Sequence, residues 1–443
     1  MGFESIARGL LGIVVILGVA LAISSDRSKV NWRTVGAGLT LQLILAIFLL
    51  KGSAMGEVFA PLAWPKAFFS WVSSFFVVVL EFTTAGAEFV FGPLALAQGT
   101  DGSMGFFFAF QVLPTIVFFG SLMALLYHLG IMQKVVQYMA WAVSKFLGTS
   151  GAESLSVTAN IFVGQTEAPL VIRPYLEGMT RSELMAIMTG GMATIAGGVM
   201  AAYIQMLGDP YSIARGLDLA VGRLMFAEQL LGASVMAAPA ALILAKIIVP
   251  EIGEPETRGM VKIETESDSA NSIDAIASGA VDGVKLAINV GGMLIAFLAM
   301  IAMVNYILGW GAGFFGAELT LQQILGWTVA PVAWLIGVPW ADAVTFGSLL
   351  GTKVIVNEFV AYLDLSTAIA AGLLSDKAVL MATFALCGFA NLSSIAIQIG
   401  GIGPLAPSRT GELAALGVKA VLAGTLANMM TATIAGAIAS GAA

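Results

Sequence analysis

Apolar residues run along this chain in long, nearly unbroken stretches. Residues 6–24, 34–50, 105–129, 182–207, 224–249, 285–310, 378–400 and 413–438 each approach the roughly 20 apolar positions that carry a helix across a bilayer core. Barrel strands would instead alternate with period two in ten-residue pieces separated by turns. These stretches are continuous and rich in Ala, Leu, Ile and Gly, so the pattern predicts an all-α integral membrane protein with about eight spans.

Composition narrows the picture. The 443 residues are 58% hydrophobic, and charge is confined to 20 Lys+Arg and 27 Asp+Glu. That excludes an ordinary soluble domain, a disordered chain and a nucleic-acid binder, whose basic face the net charge of −7 does not supply. One Cys and one His exclude a disulfide framework and a His/Cys metal cluster. The first apolar stretch reads as a span and not a cleaved signal, because no small-residue cleavage pattern follows it and a second stretch comes quickly. Arg27, Lys29 and Arg33 in the first loop, against Arg8 before it, place the N-terminus outside and that loop in the cytoplasm. Residues 52–101, with Trp64, Pro65, Trp71, Glu81 and Glu88, read as amphipathic helices at the interface, as do residues 131–148. Residues 251–274 carry seven acids against Arg258 and Lys262 and read as a solvated linker.

Two hydrophobic segments are interrupted where a span would not tolerate it. Residues 156–175 (SVTANIFVGQTEAPLVIRPY) hold two half-length apolar pieces around Gln165, Thr166 and Glu167. Residues 340–364 repeat the arrangement around Asn357 and Glu358. Neither piece of either pair spans alone, so each pair predicts a re-entrant hairpin, over 153–177 and 340–364. Irregular backbone at that depth requires protein or a wet cavity around it. Each hairpin is followed by a broken span, interrupted at Thr194–Gly198 and at Phe389–Ser394. Paired interruptions in corresponding places of two halves point to a transporter site at the midplane. With the N-terminus outside, the hairpins enter from opposite faces, which makes the repeats inverted.

The polar tips carry no Lys or Arg, which disfavours an anionic substrate. Arg173 and Lys353 read as hairpin flanks or internal ion pairs. Gln, Asn, Ser and Glu side chains suit a neutral polyhydroxylated solute, and Phe389 supplies an apolar face for a ring or sugar. Backbone carbonyls with Asn or Thr oxygens suit a small hard cation. Structural roles are the alternative for each: an internal ion pair for Glu167 or Glu358, helix–helix hydrogen bonds for Asn391 and Ser394, back-bonding to its own helix for Thr194, and plain packing for Val199.

GQTEAPLVIRPYL (164–176), TIAGGVMAAY (194–203), VNEFVAY (356–362) and FANLSSIAIQIGGIG (389–403) together resemble the concentrative nucleoside transporters, bacterial sodium-coupled type. The resemblance implies a homotrimer whose scaffold includes residues 105–130 and 285–310. Its transport domain comprises 131–250, with the hairpin 153–177 and broken helix 182–207, and 311–443, with the hairpin 340–364 and broken helix 378–400. Residues 1–104 are peripheral spans and interfacial helices, and 251–284 form a cytoplasmic linker and interfacial helix. It further implies that Gln165, Thr166, Glu167 and Val199 contact the nucleobase. Glu358, Asn391 and Ser394 hold the ribose, with Phe389 lining the pocket. The resemblance also implies a sodium site at Asn160, Val163, Thr194 and Ile195. Thr194 departs from the Ser common among sodium-coupled members but keeps the hydroxyl oxygen.

The expectation is therefore a secondary active symporter. It imports nucleosides with sodium across a bacterial inner membrane by an elevator motion, with a periplasmic N-terminus, no cofactor beyond the co-transported ion, and no nucleic-acid partner. A proton-coupled nucleoside symporter is the alternative. A channel would show a continuous pore-lining ring and no inverted repeat. An intramembrane enzyme would need a nucleophile with a base, or a metal cluster.

Overall fold

The computed structural model describes residues 3–97, 100–259 and 269–439. Among them every regular element is helical. In chain order these are α1 (Phe3–Ala22), α2 (Trp32–Val58), α3 (Trp64–Phe91), α4 (Phe108–Gln111), α5 (Leu113–His128), α6 (Ile131–Leu147), α7 (Gly151–Ala159), α8 (Arg181–Ala193) and α9 (Gly197–Arg215). There follow α10 (Leu219–Ile248), α11 (Ser272–Gly313), α12 (Leu321–Leu335), α13 (Ala343–Ile355), α14 (Glu358–Ala370), α15 (Asp376–Leu386), α16 (Leu392–Ile402) and α17 (Thr410–Ala439).

Among the described residues, eight helical segments are long and apolar enough to cross a membrane. Seven coincide with stretches read from the sequence. The eighth is the α3 region, which forms one 28-residue helix where the pattern suggested several interfacial ones. Pro65 starts α3, where its missing N–H costs nothing, and no breaker interrupts it before Gly92, at φ +59°. Ser70 of α3 donates to Glu228 of α10, and Lys66 pairs with the same carboxylate. Phe76 stacks on Phe119 of α5 at 5.6 Å between ring centroids. The opposite face of α3 leaves Trp64, Phe68, Trp71 and Phe82 exposed.

Helices α8 and α10 form the centre, and nearly every residue of α8 is buried. The 42-residue α11 exposes Ile288, Ile295, Tyr306 and Trp310. It crosses α5 through small residues: a Cβ on Gly279 would stand 2.6 Å from the Gly120 carbonyl, and one on Gly283 2.7 Å from Val117 Cα. Two glycines four apart let backbones approach this closely in lipid.

Both hairpins are present. The first descends as α7 and returns as a 3-10 helix over Ala168–Tyr175, tightened by Pro169 and Pro174. The second is α13 and α14, running to Ala370 and so longer than its predicted 340–364. Their roots lie at opposite ends of the bundle. Near the first root, Ser24 donates to the Ile247 carbonyl at 2.6 Å and Thr34 to that of Leu147 at 3.1 Å. The first loop is therefore at that end. Near the second root, Ser375 donates to Asp342 at 2.5 Å, and Lys377 of the following helix reaches Ser5 in α1 at 3.1 Å. The two repeats are inverted, as the order of spans before each hairpin predicted.

The acidic connection departs from the sequence reading at its start. Glu251 accepts from Lys246 at 3.0 Å and from Thr180 at 2.9 Å, and Thr257 is buried against the N-terminus of α7. Its first residues are thus packed structure, and residues 260–268 lie outside those described. A polar cavity of about 260 Å³ bordered by Lys29, Glu153, Lys246 and Arg258 sits at this end, away from the membrane centre.

Candidate functional site

The two broken helices cross at their breaks. Helix α8 stops at Ala193 and α9 starts at Gly197; α15 stops at Leu386 and α16 starts at Leu392. Gly388, at φ +126°, lies so close to α8 that a Cβ there would stand 2.6 Å from the Ala193 carbonyl. Only glycine adopts that conformation without strain and also leaves the two breaks in contact. Three helix N-termini, those of α9, α14 and α16, therefore begin at the bundle centre. Their free N–H groups make the centre electropositive without any basic side chain.

Asn357 and Asn391 explain why α14 and α16 start where they do. Asn357 Oδ1 accepts from Val360 N at 2.9 Å, and Asn391 Oδ1 from Ser394 N at 2.9 Å, each an N-cap. Glu358 is then the first residue of α14, where the helix dipole favours a carboxylate. It is 5% exposed. Asn391 Nδ2 donates to its Oε2 at 2.8 Å, and the Tyr203 hydroxyl to its Oε1 at 3.4 Å.

From Asn391 the polar chain continues into the first hairpin. Ser394 Oγ donates to Asn391 Oδ1 at 3.1 Å, and Gln165 Nε2 donates to Ser394 Oγ at 3.3 Å. Gln398 Nε2 donates to Gln165 Oε1 and to the Met188 carbonyl, both at 3.0 Å. Gln165 and Glu358, one from each hairpin, are thus joined through one face of α16.

A second constellation lies beside it. Gly197 N donates to the Phe162 carbonyl at 2.9 Å, holding the loop 160–163 against the break 194–196. Asn160 is buried; its Nδ2 donates to the Ser156 carbonyl at 3.1 Å, while its Oδ1 has no hydrogen-bond partner. Ser156 Oγ and Thr158 Oγ1 are likewise buried without partners. Thr194 Oγ1 donates back to the Gly190 carbonyl at 2.9 Å, which leaves its lone pairs free. A buried carboxamide oxygen with no donor, beside irregular backbone, suits a small cation as ligand set.

Lys353 corrects one expectation. It is fully buried and, in place of an ion pair, donates to the Ala385 carbonyl at 2.9 Å and to Asn428 Oδ1 at 2.7 Å. Asn428 Nδ2 in turn donates to the Ala193 carbonyl at 2.6 Å. One C-terminal carbonyl of each broken helix is thereby satisfied, that of α15 by the Lys353 cation, as the dipole favours, and that of α8 by the Asn428 amide.

The structure gathers Gln165, Glu358, Asn391 and Ser394 into one network and sets Asn160 near Thr194. Val199 is buried, and Phe389 is partly exposed. Thr166 packs against Gly401 and donates to Glu167 at 2.9 Å. Glu167 is exposed, so the symmetric placement of the two glutamates in sequence becomes an asymmetry of burial. Sequence reasoning missed Tyr203 and Gln398. The second was readable: Asn391, Ser394 and Gln398 stand three and four apart, the spacing of one helix face. Tyr203 carried no such signal.

Comparison with known proteins shows the family. Residues 11–94 and 229–436 match the N- and C-terminal family models of the Na+-dependent nucleoside transporters, and 109–210 match a nucleoside-recognition gate model. An uncharacterized transporter of Bacillus subtilis, YutK, is 46% identical over 97% of this chain and 98% of its own length. The nucleoside permease NupC of Helicobacter pylori is 41% identical, covering 96% of both chains. A solved structure of CNTnw in an inward-facing substrate-bound state superposes with a TM-score of 0.84 at 44% identity, covering 98% of each chain. This chain therefore belongs to the Na+-dependent nucleoside transporter family, whose members are multi-pass membrane transporters and not enzymes.

Proposed function

We propose that this chain imports nucleosides by sodium symport across a bacterial inner membrane. It works as a homotrimer in which a domain carrying both hairpins moves elevator-fashion against a scaffold that includes α5 and α11. The observation that carries this reading is the buried polar chain from Gln165 to Glu358, which puts both hairpin tips on one central site. Glu358, Asn391 and Ser394 hold the ribose hydroxyls, with Phe389 along the pocket wall. Gln165, Thr166 and Glu167 face the nucleobase, with Val199 packed beside it.

Sodium is held by Asn160 Oδ1, the Thr194 hydroxyl and the carbonyls of Val163 and Ile195. The partnerless Asn160 oxygen supports this, since a buried acceptor left bare costs about 1–3 kcal/mol. The small-residue crossing of α5 and α11 and the exposed apolar face of α11 support a scaffold with lipid or another copy beside it. The three basic residues of the loop 25–33 support a cytoplasmic first hairpin root and a periplasmic N-terminus.

The driving force is sufficient. One cation moving down 100 mV contributes about 2.3 kcal/mol. With a tenfold sodium gradient, the nucleoside gradient sustained is about 500-fold. The test is radiolabelled uridine uptake into proteoliposomes, with sodium and pH gradients imposed separately. Uptake driven by sodium alone is expected; uptake driven only by a pH gradient would replace sodium with protons.

A further inference from the structure

A carboxamide offers a ligand either its carbonyl oxygen or its amino group. The orientation of Gln165 therefore decides which bases it suits. We propose that Gln398, buried behind it on α16, fixes that orientation and so acts as a positioning residue for base preference. This rests on Gln165 facing the base.

The sense of the chain is set at its Met188 end. The Met188 carbonyl only accepts, so Gln398 must turn its amino group toward it, at 3.0 Å. The second hydrogen of that amino group meets Gln165 Oε1, also at 3.0 Å. Gln398 Oε1 is left without a partner, which marks the orientation as imposed from the Met188 side. The carbonyl of Gln165 is thus occupied, and its amino group is turned toward Ser394 Oγ, at 3.3 Å.

The far end accommodates this sense without imposing it, because the Ser394 hydroxyl can accept or donate. Asn391 Oδ1 takes the Ser393 hydroxyl at 2.7 Å, the backbone N–H of Ser394 at 2.9 Å and the Ser394 hydroxyl at 3.1 Å, which leaves the Ser394 hydroxyl a lone pair for Gln165. One Gln165 hydrogen is spent on Ser394 and the other is offered to the ligand. Gly191 of α8 supplies the room: a Cβ there would stand 2.7 Å from Gln398 Nε2 and 2.9 Å from Gln165 Cβ. A donor at this position suits a base carbonyl, as in uridine, over the exocyclic amino group of cytidine.

The test is inhibition of radiolabelled uridine uptake by unlabelled uridine and cytidine, in proteoliposomes of the full chain. A carboxyl at position 398 has at most one hydrogen, so it cannot serve both Met188 and Gln165. Gln165 then turns its amino group inward and its carbonyl to the base. Gln398→Glu is expected to shift the uridine-to-cytidine preference toward cytidine by about fivefold, the value of one hydrogen bond. Gln398→Leu, which releases the amide, should flatten the preference, and Gly191→Ala, which displaces the pair, should move it the same way. Should Gln398→Glu fail to fold, by gel filtration, the other two variants carry the test. Equal weakening for both nucleosides, or an unchanged preference in all three variants, overturns the proposal if Gln165→Ala does alter the preference. An unchanged preference in Gln165→Ala would instead remove Gln165 from base contact.

Discussion

Glu358→Gln keeps the volume of the side chain and removes its charge. Both carboxylate oxygens now accept, from Asn391 Nδ2 at 2.8 Å and from the Tyr203 hydroxyl at 3.4 Å. An amide has one oxygen and one amino group, so one of these contacts must change. Asn391 cannot turn, because its Oδ1 caps α16 through Ser394. The Tyr203 hydroxyl can rotate to accept, so the amide settles with its oxygen toward Asn391 and the fold survives. What disappears is the charged acceptor that the proposed ribose contact uses. Hydrogen bonds to charged groups contribute about 1.5–3 kcal/mol each. Losing that advantage for two ribose hydroxyls removes about 3 kcal/mol, or roughly 100-fold in kcat/KM. The assay is initial-rate uridine uptake over a concentration series, with gel filtration to show that the oligomer is unchanged. An uptake efficiency within about threefold of the parent would take Glu358 out of the site.

Three further outcomes follow from the geometry. Asn160→Ala removes a buried oxygen with no protein partner. It should raise the half-saturating sodium concentration about tenfold, with the uridine-to-cytidine preference unchanged, as measured by sodium titration of uptake. Gly388→Ala forces a Cβ to 2.6 Å from the Ala193 carbonyl at φ +126°. It should destabilise the protein by about 1–3 kcal/mol or more, seen as a lowered melting temperature in detergent. Lys353→Met strips the donor from the Ala385 carbonyl and Asn428 Oδ1. About 1–3 kcal/mol for each bared acceptor should lower the melting temperature, and an unchanged value would mean both oxygens find other donors.

The architecture was legible because its signals are local. A polar tip between two half-length apolar pieces has few readings in lipid, so residue types alone mark hairpins at 153–177 and 340–364. Ser24 and Thr34 at the first root, with Ser5 at the second, bear out the opposed entry sides. What stayed hidden depends on partners distant in sequence. Lys353 read as a flank or half of an ion pair, because no local pattern reveals that α15 and α17 supply its oxygens, 32 and 75 residues away. Gln398 shares a helix face with Asn391 and Ser394 by spacing, but only the return of Met188, 210 residues earlier in the chain, gives it a role. Glu167 and Glu358 were indistinguishable by residue type, yet one is exposed and the other buried, because only the second begins a central helix.

The first hairpin is fastened far more heavily at its stem than at its tip. Ser150 and Thr180 each close a reciprocal cap with Glu153 and Glu183, and Ser150 also donates to Glu183 at 2.5 Å. Lys246 clamps Glu153 at 2.8 Å and Glu251 at 3.0 Å, while Thr257 takes the Ala152 N–H at 3.0 Å. Beyond Asn160, by contrast, the tip is tied to its surroundings through Phe162 and Gln165. A stem bolted on so many sides does not hinge by itself. Uncovering the centre to one side of the membrane then leaves two motions: carriage of stem, α8 and α10 as one rigid body, or peeling of the loop past Asn160 while the anchorage holds still.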